Sequence, residues 1–296
     1  MKRLALIVAL ATMTITPAHA FKLKDLITPK TSDSNQTQTQ APADGKPADK
    51  NKIDTQALAK TLFGKTSTQD EIRIGKQIAG NLLGATPLVR DDQLQRYVNV
   101  VGRWVAEQSG RNDINWYFGV LDTEDINAFA APGGYVFLTK GLYRQLNNEA
   151  ELAGVLGHEI AHITLKHHLK VLKQSSVIGA LGQAVGEQVK GSDQAVQNLI
   201  GNGAEIMARG LDKNAELEAD RVGAVFAARA GYEPWGLPTV LQDLTALPSG
   251  DKRTSLLYKT HPLPADRLAA LGDAIGSRFD YLTGGKEFGD RFYRIR

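Results

Sequence analysis

Apolar positions recur at helical spacing over most of this chain and run together as strand-like stretches in only one short region. Thr68-Gln69-Asp70-Glu71 has the spacing of a capping box and precedes Ile72, Ile74, Ile78 and Leu82, so a helix is predicted from Thr68. Asp91 or Asp92 starts a second, with Leu94, Tyr97, Val98, Val101 and Val105 on one face. Trp116 to Leu121, Ile126 to Ala130 and Tyr135 to Thr139 read as strands, the last two joined by Pro132-Gly133-Gly134. Beyond them the pattern is helical to about Gly276. One of these helices opens at Asn148, with Glu151 three residues on, and carries Leu152, Val155, Leu156, Ile160 and Ile163 as its buried stripe. Another opens at Asp212 and runs through Val222, Val225 and Phe226. The fold class expected is α+β, mostly helical with a small β-sheet.

The two ends of this pattern differ from its middle. Residues 1–20 combine Lys2 and Arg3, an apolar stretch from Leu4 to Ile15 and a small-residue end at Ala18 and Ala20, the signature of a cleavable signal peptide. Residues 21–52 are polar and rich in Gln, Thr, Pro and Asp. They lack the apolar surface that would offset ordering entropy and read as a flexible linker. Residues 53–296 have globular composition, enough for one domain. Within it, Val171 to Met207 carries Gly179, Gly182 and Gly186 on one helical face, a pattern for close helix packing. Its uncharged run is only about a dozen residues, too short to span a bilayer, which leaves at most peripheral contact with a membrane.

Composition narrows the chemistry. The chain has no cysteine, so thiolate metal sites and cysteine nucleophiles are excluded and any metal rests on His and carboxylate. The net charge is +3, and removing Lys2 and Arg3 with the leader brings it near +1. That balance argues against nucleic acid as a partner.

His158-Glu159-Ile160-Ala161-His162 lies on the helix opened by Asn148. The two imidazoles are four residues apart, one turn above the other, and can share one Zn²⁺. Glu159 can then act as general base on a water. A catalytic zinc needs a third protein ligand. His168 would need a sharp turn after the motif, where Leu165 stands in place of a glycine, so His167 and His168 are expected to be solvated or salt-bridging. His261 is distant in sequence. Glu216 is the best candidate. Asp220, four residues on, shares its helical face and can hydrogen-bond the far nitrogen of a ligand histidine. Glu218 points away and is expected to face solvent.

With Asn127-Ala128-Phe129-Ala130, Pro132-Gly133-Gly134-Tyr135-Val136, Leu152 to Gly157 and Thr260-His261-Pro262 with Arg267, these motifs resemble the M48 family of zinc metallopeptidases over roughly residues 68–272. The resemblance implies a zincin-type fold with the sheet beside the active-site helix. It implies His158, His162 and Glu216 as ligands of one Zn²⁺ per chain, Glu159 as base, and Asp220 as a supporting carboxylate. His261 and Arg267 match residues near the family's active site. Either could donate to the oxyanion, and His261 could instead gate the metal. Members with Ser-Arg before the third ligand differ from this chain, which has Asp212 and Lys213. A helical-repeat domain, added after the peptidase in some periplasmic members, is not expected in the short stretch after Arg267. The expected function is a periplasmic endopeptidase acting on unfolded or misassembled envelope proteins, with substrate adding as an extra strand along Tyr135 to Leu138. The alternative is a zinc-binding, chaperone-like module that does not cleave.

Overall fold

The computed structural model describes residues 67–172, 211–248, 250–261, 264–279 and 284–295. The leader, the linker and nearly all of the stretch from Val171 to Met207 lie outside these residues. The described elements form a mostly helical α+β fold of zincin type. In chain order they are α1 (Thr68–Ala85), α2 (Asp92–Ala106), β1 (Tyr117–Leu121), β2 (Ala128–Ala131), β3 (Tyr135–Thr139), α3 (Lys140–Tyr143) and α4 (Glu149–Thr164). They continue with α5 (Lys213–Arg229), α6 (Gly236–Thr245), α7 (Ser255–Thr260) and α8 (Pro264–Ile275). None is long and apolar enough to cross a membrane.

Caps set the helix starts. Asp91 Oδ1 accepts the amides of Gln93 and Leu94, and Asp212 Oδ1 accepts that of Ala215. Asn148 Oδ1 accepts the amide of Glu151, whose own carboxylate reaches back to the amide of Asn147 at 2.7 Å. The first helix departs from expectation by one residue. Ser67 is its cap and Asp70 its partner. Glu71, expected in the capping box, is buried instead, where Arg111 and Lys166 neutralise it.

The sheet order is β1-β3-β2, with β1 parallel and β2 antiparallel to β3. Tyr135–Thr139 is therefore the central strand, paired on both sides. It cannot take up an added strand, which corrects the expectation of a cleft edge there. The Gly133-Gly134 turn has φ of 77° and 98°, and a Cβ at either glycine would strike backbone.

The core lies between α2, the sheet, α4 and α5, and includes Leu94, Val98, Val120, Leu138, Leu152, Leu156 and Ile160. The α4 helix is buried along nearly its full length. Its N-terminus is tied down by the chain's last segment. Glu287 C=O accepts the amides of Glu149 and Ala150, while the Glu149 carboxylate receives Tyr97, Tyr232 and Arg291. Its C-terminal half is set by glycines. Gly157 faces Gly223 of α5 so closely that a Cβ would lie 2.5 Å from the Gly223 carbonyl oxygen.

Gly157→Ala is predicted to cost about 1–3 kcal/mol from overpacking the helix crossing. Gly80→Ala, in α1 with open space around it, should leave the protein unchanged or slightly more stable. Thermal unfolding of the two variants checks this, and equal midpoints would contradict the crossing argument.

Candidate metal centre

The tight α4–α5 crossing decides which side chains meet. His158 and His162 face α5, and α5 answers with Glu216 and Asp220, all four buried. The two Nε2 atoms lie 2.9 Å apart. Glu216 Oε2 is 3.6 Å from His158 Nε2, and its Oε1 is 3.4 Å from His162 Nε2. From the far side, His261 Nδ1 donates to Glu216 Oε2 at 2.7 Å. It leaves α7 with extended backbone, φ −131° and ψ 143°, as expected of a residue before proline. His261 is distant in sequence, and the fold brings it into the cluster, beside the site where the family resemblance expects it. Ligand atoms of His158, His162, Glu216 and His261 all fall within 4.8 Å of one another.

A further layer fixes these groups. Asp220 Oδ1 is 2.8 Å from His158 Nδ1. Arg267, on α8, grips Asp220 with Nε at 3.0 Å and Nη2 at 2.5 Å. Its fork is thus largely committed to Asp220, and Nη1 stands 3.9 Å from Glu216 Oε2.

The chain after the motif differs from expectation. The α4 helix stops at Thr164, and Lys166 takes a left-handed φ of 59°. The turn needs no glycine, and Lys166 is tied to Glu71 at 3.3 Å. His167 and His168 are buried beside His162 rather than solvated, although His167 does meet a carboxylate, the other expectation for the pair. His167 lies between His162 Nδ1, at 3.0 Å, and Glu218 Oε2, at 3.3 Å. Glu218, expected in solvent, is half-exposed but holds this contact. A repeated histidine just beyond the motif was the available signal. His168 stays outside the cluster of converging ligand atoms.

The electrostatics fit a cation. Each Nδ1 of the motif histidines faces a partner, so the two Nε2 lone pairs point at one another across a buried gap. Glu216 Oε1 and Glu159 Oε2 are buried without a hydrogen-bond partner among the described residues. Burial alone would raise the Glu216 carboxyl, but His261, His158 and Arg267 hold it down to about 2. Asp220 is likewise held low, against its burial, by Arg267 and His158. Burial raises Glu159, which has the character wanted in a base that must later give its proton up. Burial pushes His162 far below the usual imidazole range, leaving it neutral and fit to ligate.

The model of Peptidase family M48 matches residues 92–275. The chain belongs to peptidase family M48. The family is one of metallopeptidases and implies a metal, for which His158, His162, Glu216 and His261 are the converging group among the described residues. The beta-barrel assembly-enhancing protease of Escherichia coli (strain K12) is 31% identical over 233 residues, 75% of this chain and 47% of the relative. Metalloprotease YcaL of the same strain is 32% identical over 162 residues, 54% of this chain and 62% of that protein. Mitochondrial metalloendopeptidase OMA1 of Arabidopsis thaliana is 28% identical over 187 residues, 58% of this chain and 37% of the relative. This M48 chain spans about half the length of the assembly-enhancing proteases it matches.

Metal-free stability should depend on pH through His162 and His168, while His261, held above its usual range by Glu216 against burial, acts in the opposite sense. Burial holds His168 at about 3 and His162 low, against 6.5 unfolded. The unfolded chain therefore binds these protons first as pH falls. Their contribution is complete above about pH 6.5 and is lost below it, at up to about 1.4 kcal/mol per pH unit for each histidine. Urea unfolding in chelator at pH 7 and pH 5 checks this. His168→Gln should lose less stability over that interval than wild type, and an unchanged loss would contradict it.

Proposed function

We propose that this chain is a zinc-dependent endopeptidase of the bacterial periplasm that hydrolyses unfolded or misassembled envelope proteins. The observation that carries the reading is one juxtaposition. Two imidazole Nε2 atoms and a Glu216 oxygen converge, and beside them Glu159 lines the cleft with an oxygen that has no hydrogen-bond partner among the described residues. His158, His162 and Glu216 would hold the ion, and this nitrogen and carboxylate set favours zinc. A bound zinc supplies Lewis acidity at the scissile carbonyl and makes a neighbouring water easier to deprotonate.

The protein's own groups do the rest. Glu159 accepts the water's proton at Oε2 and returns it to the leaving amine. His261 donates to Glu216 from Nδ1, so it donates to the oxyanion from Nε2 in its doubly protonated form, which Glu216 and Glu159 favour against burial. Arg267 acts mainly by fixing Asp220, which in turn orients His158. A clasp that only bound zinc and unfolded chains would have no use for the unpartnered oxygen of Glu159.

The cleft also supports a substrate class. Val155, Leu237, Val240, Leu241, Leu244 and Leu257 line a small cavity of about 30 Å³ next to His158 and Glu159. So apolar a lining suits the tip of an apolar side chain, and folded proteins keep those inside. With Tyr135–Thr139 central, the strand offered to substrate is β2, whose Ala128 lines the same cleft. Thr139 N–H bonds Asn127 C=O, so Ala128 and Ala130 turn their backbone groups away from β3. An extended peptide can add there through main-chain bonds once the groups that bury Ala128 and Ala130 move aside. The envelope setting draws on the leader pattern at residues 1–20 and on the name of the related assembly-enhancing protease, and it includes neither nucleic acid nor more than peripheral contact with a membrane.

Glu159→Gln should retain one zinc per chain and lose cleavage of unfolded casein and misassembled outer-membrane proteins by at least about 10²-fold. Chelator should abolish wild-type cleavage, and cuts should cluster beside apolar residues. Metal analysis and a peptide-mapped digest measure all three. Equal cleavage by Glu159→Gln and wild type would refute the mechanism.

A further inference from the structure

His158 and His162 are both oriented from α5, but by different routes. For His158 the route is direct, through Asp220 Oδ1 at 2.8 Å. Among the described residues no carboxylate meets Nδ1 of His162. That atom faces Nδ1 of His167 at 3.0 Å, and the other nitrogen of His167 faces Glu218 Oε2 of α5 at 3.3 Å. A carboxylate only accepts, so His167 donates from Nε2 to Glu218. Its Nδ1 is then the acceptor, and His162 must donate to it. This leaves the Nε2 lone pair of His162 bare and aimed at Glu216.

The backbone is shaped to make this chain of bonds. Left-handed φ at a residue with a Cβ costs about 1–2 kcal/mol, and Lys166 bears it at 59°. A continued helix would carry His167 away from His162. The turn at Lys166 folds it back, with its ring centre 5.2 Å from that of His162 and its side chain almost fully buried.

We propose that His167 and Glu218 are positioning residues that fix the tautomer and orientation of the metal ligand His162. The inference rests on the metal reading given above. Partners of this kind shift metal affinity by roughly 10–100-fold when removed.

The test measures zinc affinity by chelator competition, with thermal unfolding of each protein in its metal-free form. His167→Leu should bind zinc about 10–100-fold more weakly than wild type. His167→Gln, whose amide can accept from His162 and donate to Glu218, should stay within about threefold. Glu218→Ala, at a half-exposed position, should weaken zinc several-fold while the metal-free unfolding midpoint stays put. A purely structural role would do the reverse, lowering the metal-free midpoint and sparing the affinity of the folded protein. Wild-type affinity in both His167→Leu and Glu218→Ala would overturn the proposal and leave the metal reading standing. Failure of wild type itself to bind zinc would remove the metal reading, and this proposal with it.

Discussion

Burying two imidazoles against two carboxylates between α4 and α5 is the constraint on which the remaining structure depends. Ionised groups leave water at a cost of several kcal/mol each unless partners meet them. Here the partners come from three directions. Arg267 answers Asp220, Asp220 answers His158, and His261 answers Glu216. Such a network tolerates little error in helix placement, and the glycine contact of Gly157 with Gly223 supplies that precision. A wider crossing would leave Glu216 short of both imidazoles.

The scaffold around the crossing holds α4 at both ends. Its N-terminus is satisfied by the Asn148 cap and the Glu287 carbonyl, with the carboxylate of Glu149 favourably placed against the helix dipole. Its C-terminus breaks at Lys166, whose charge meets the buried Glu71 of α1. A distant first helix thus contributes to the shape of the loop behind the second motif histidine. On the proposed reading, the sheet and α6 stand on the other side of α4, where one offers a strand edge and the other an apolar wall to a peptide.

What the sequence made legible was local. Caps at Asp91, Asn148 and Asp212 are written in the residue and its followers, because the bonds they make span three positions. The spacing of His158, Glu159 and His162 is likewise a property of one helix, and Glu216 with Asp220 of another. Three features escaped because they belong to pairs of elements. The central position of Tyr135–Thr139 depends on β1 pairing in parallel across a long connection, which no local alternation records. The burial of His167 and His168 depends on a lysine adopting a conformation usually left to glycine. That becomes affordable only once Glu71 receives its charge. The Ser67 cap, one residue before the expected Thr68, freed Glu71 for that role, and the motif could not distinguish the two.

On the proposed reading, Glu216 crosses from α5 to complete a zinc site begun by two histidines of α4. Anomalous diffraction at the zinc edge, on crystals grown with zinc, measures it most directly. One zinc peak per chain is expected, within about 2.0–2.2 Å of Nε2 of His158, Nε2 of His162 and a carboxylate oxygen of Glu216. A peak bound by the histidines with Glu216 turned away, or a peak elsewhere in the molecule, would contradict it.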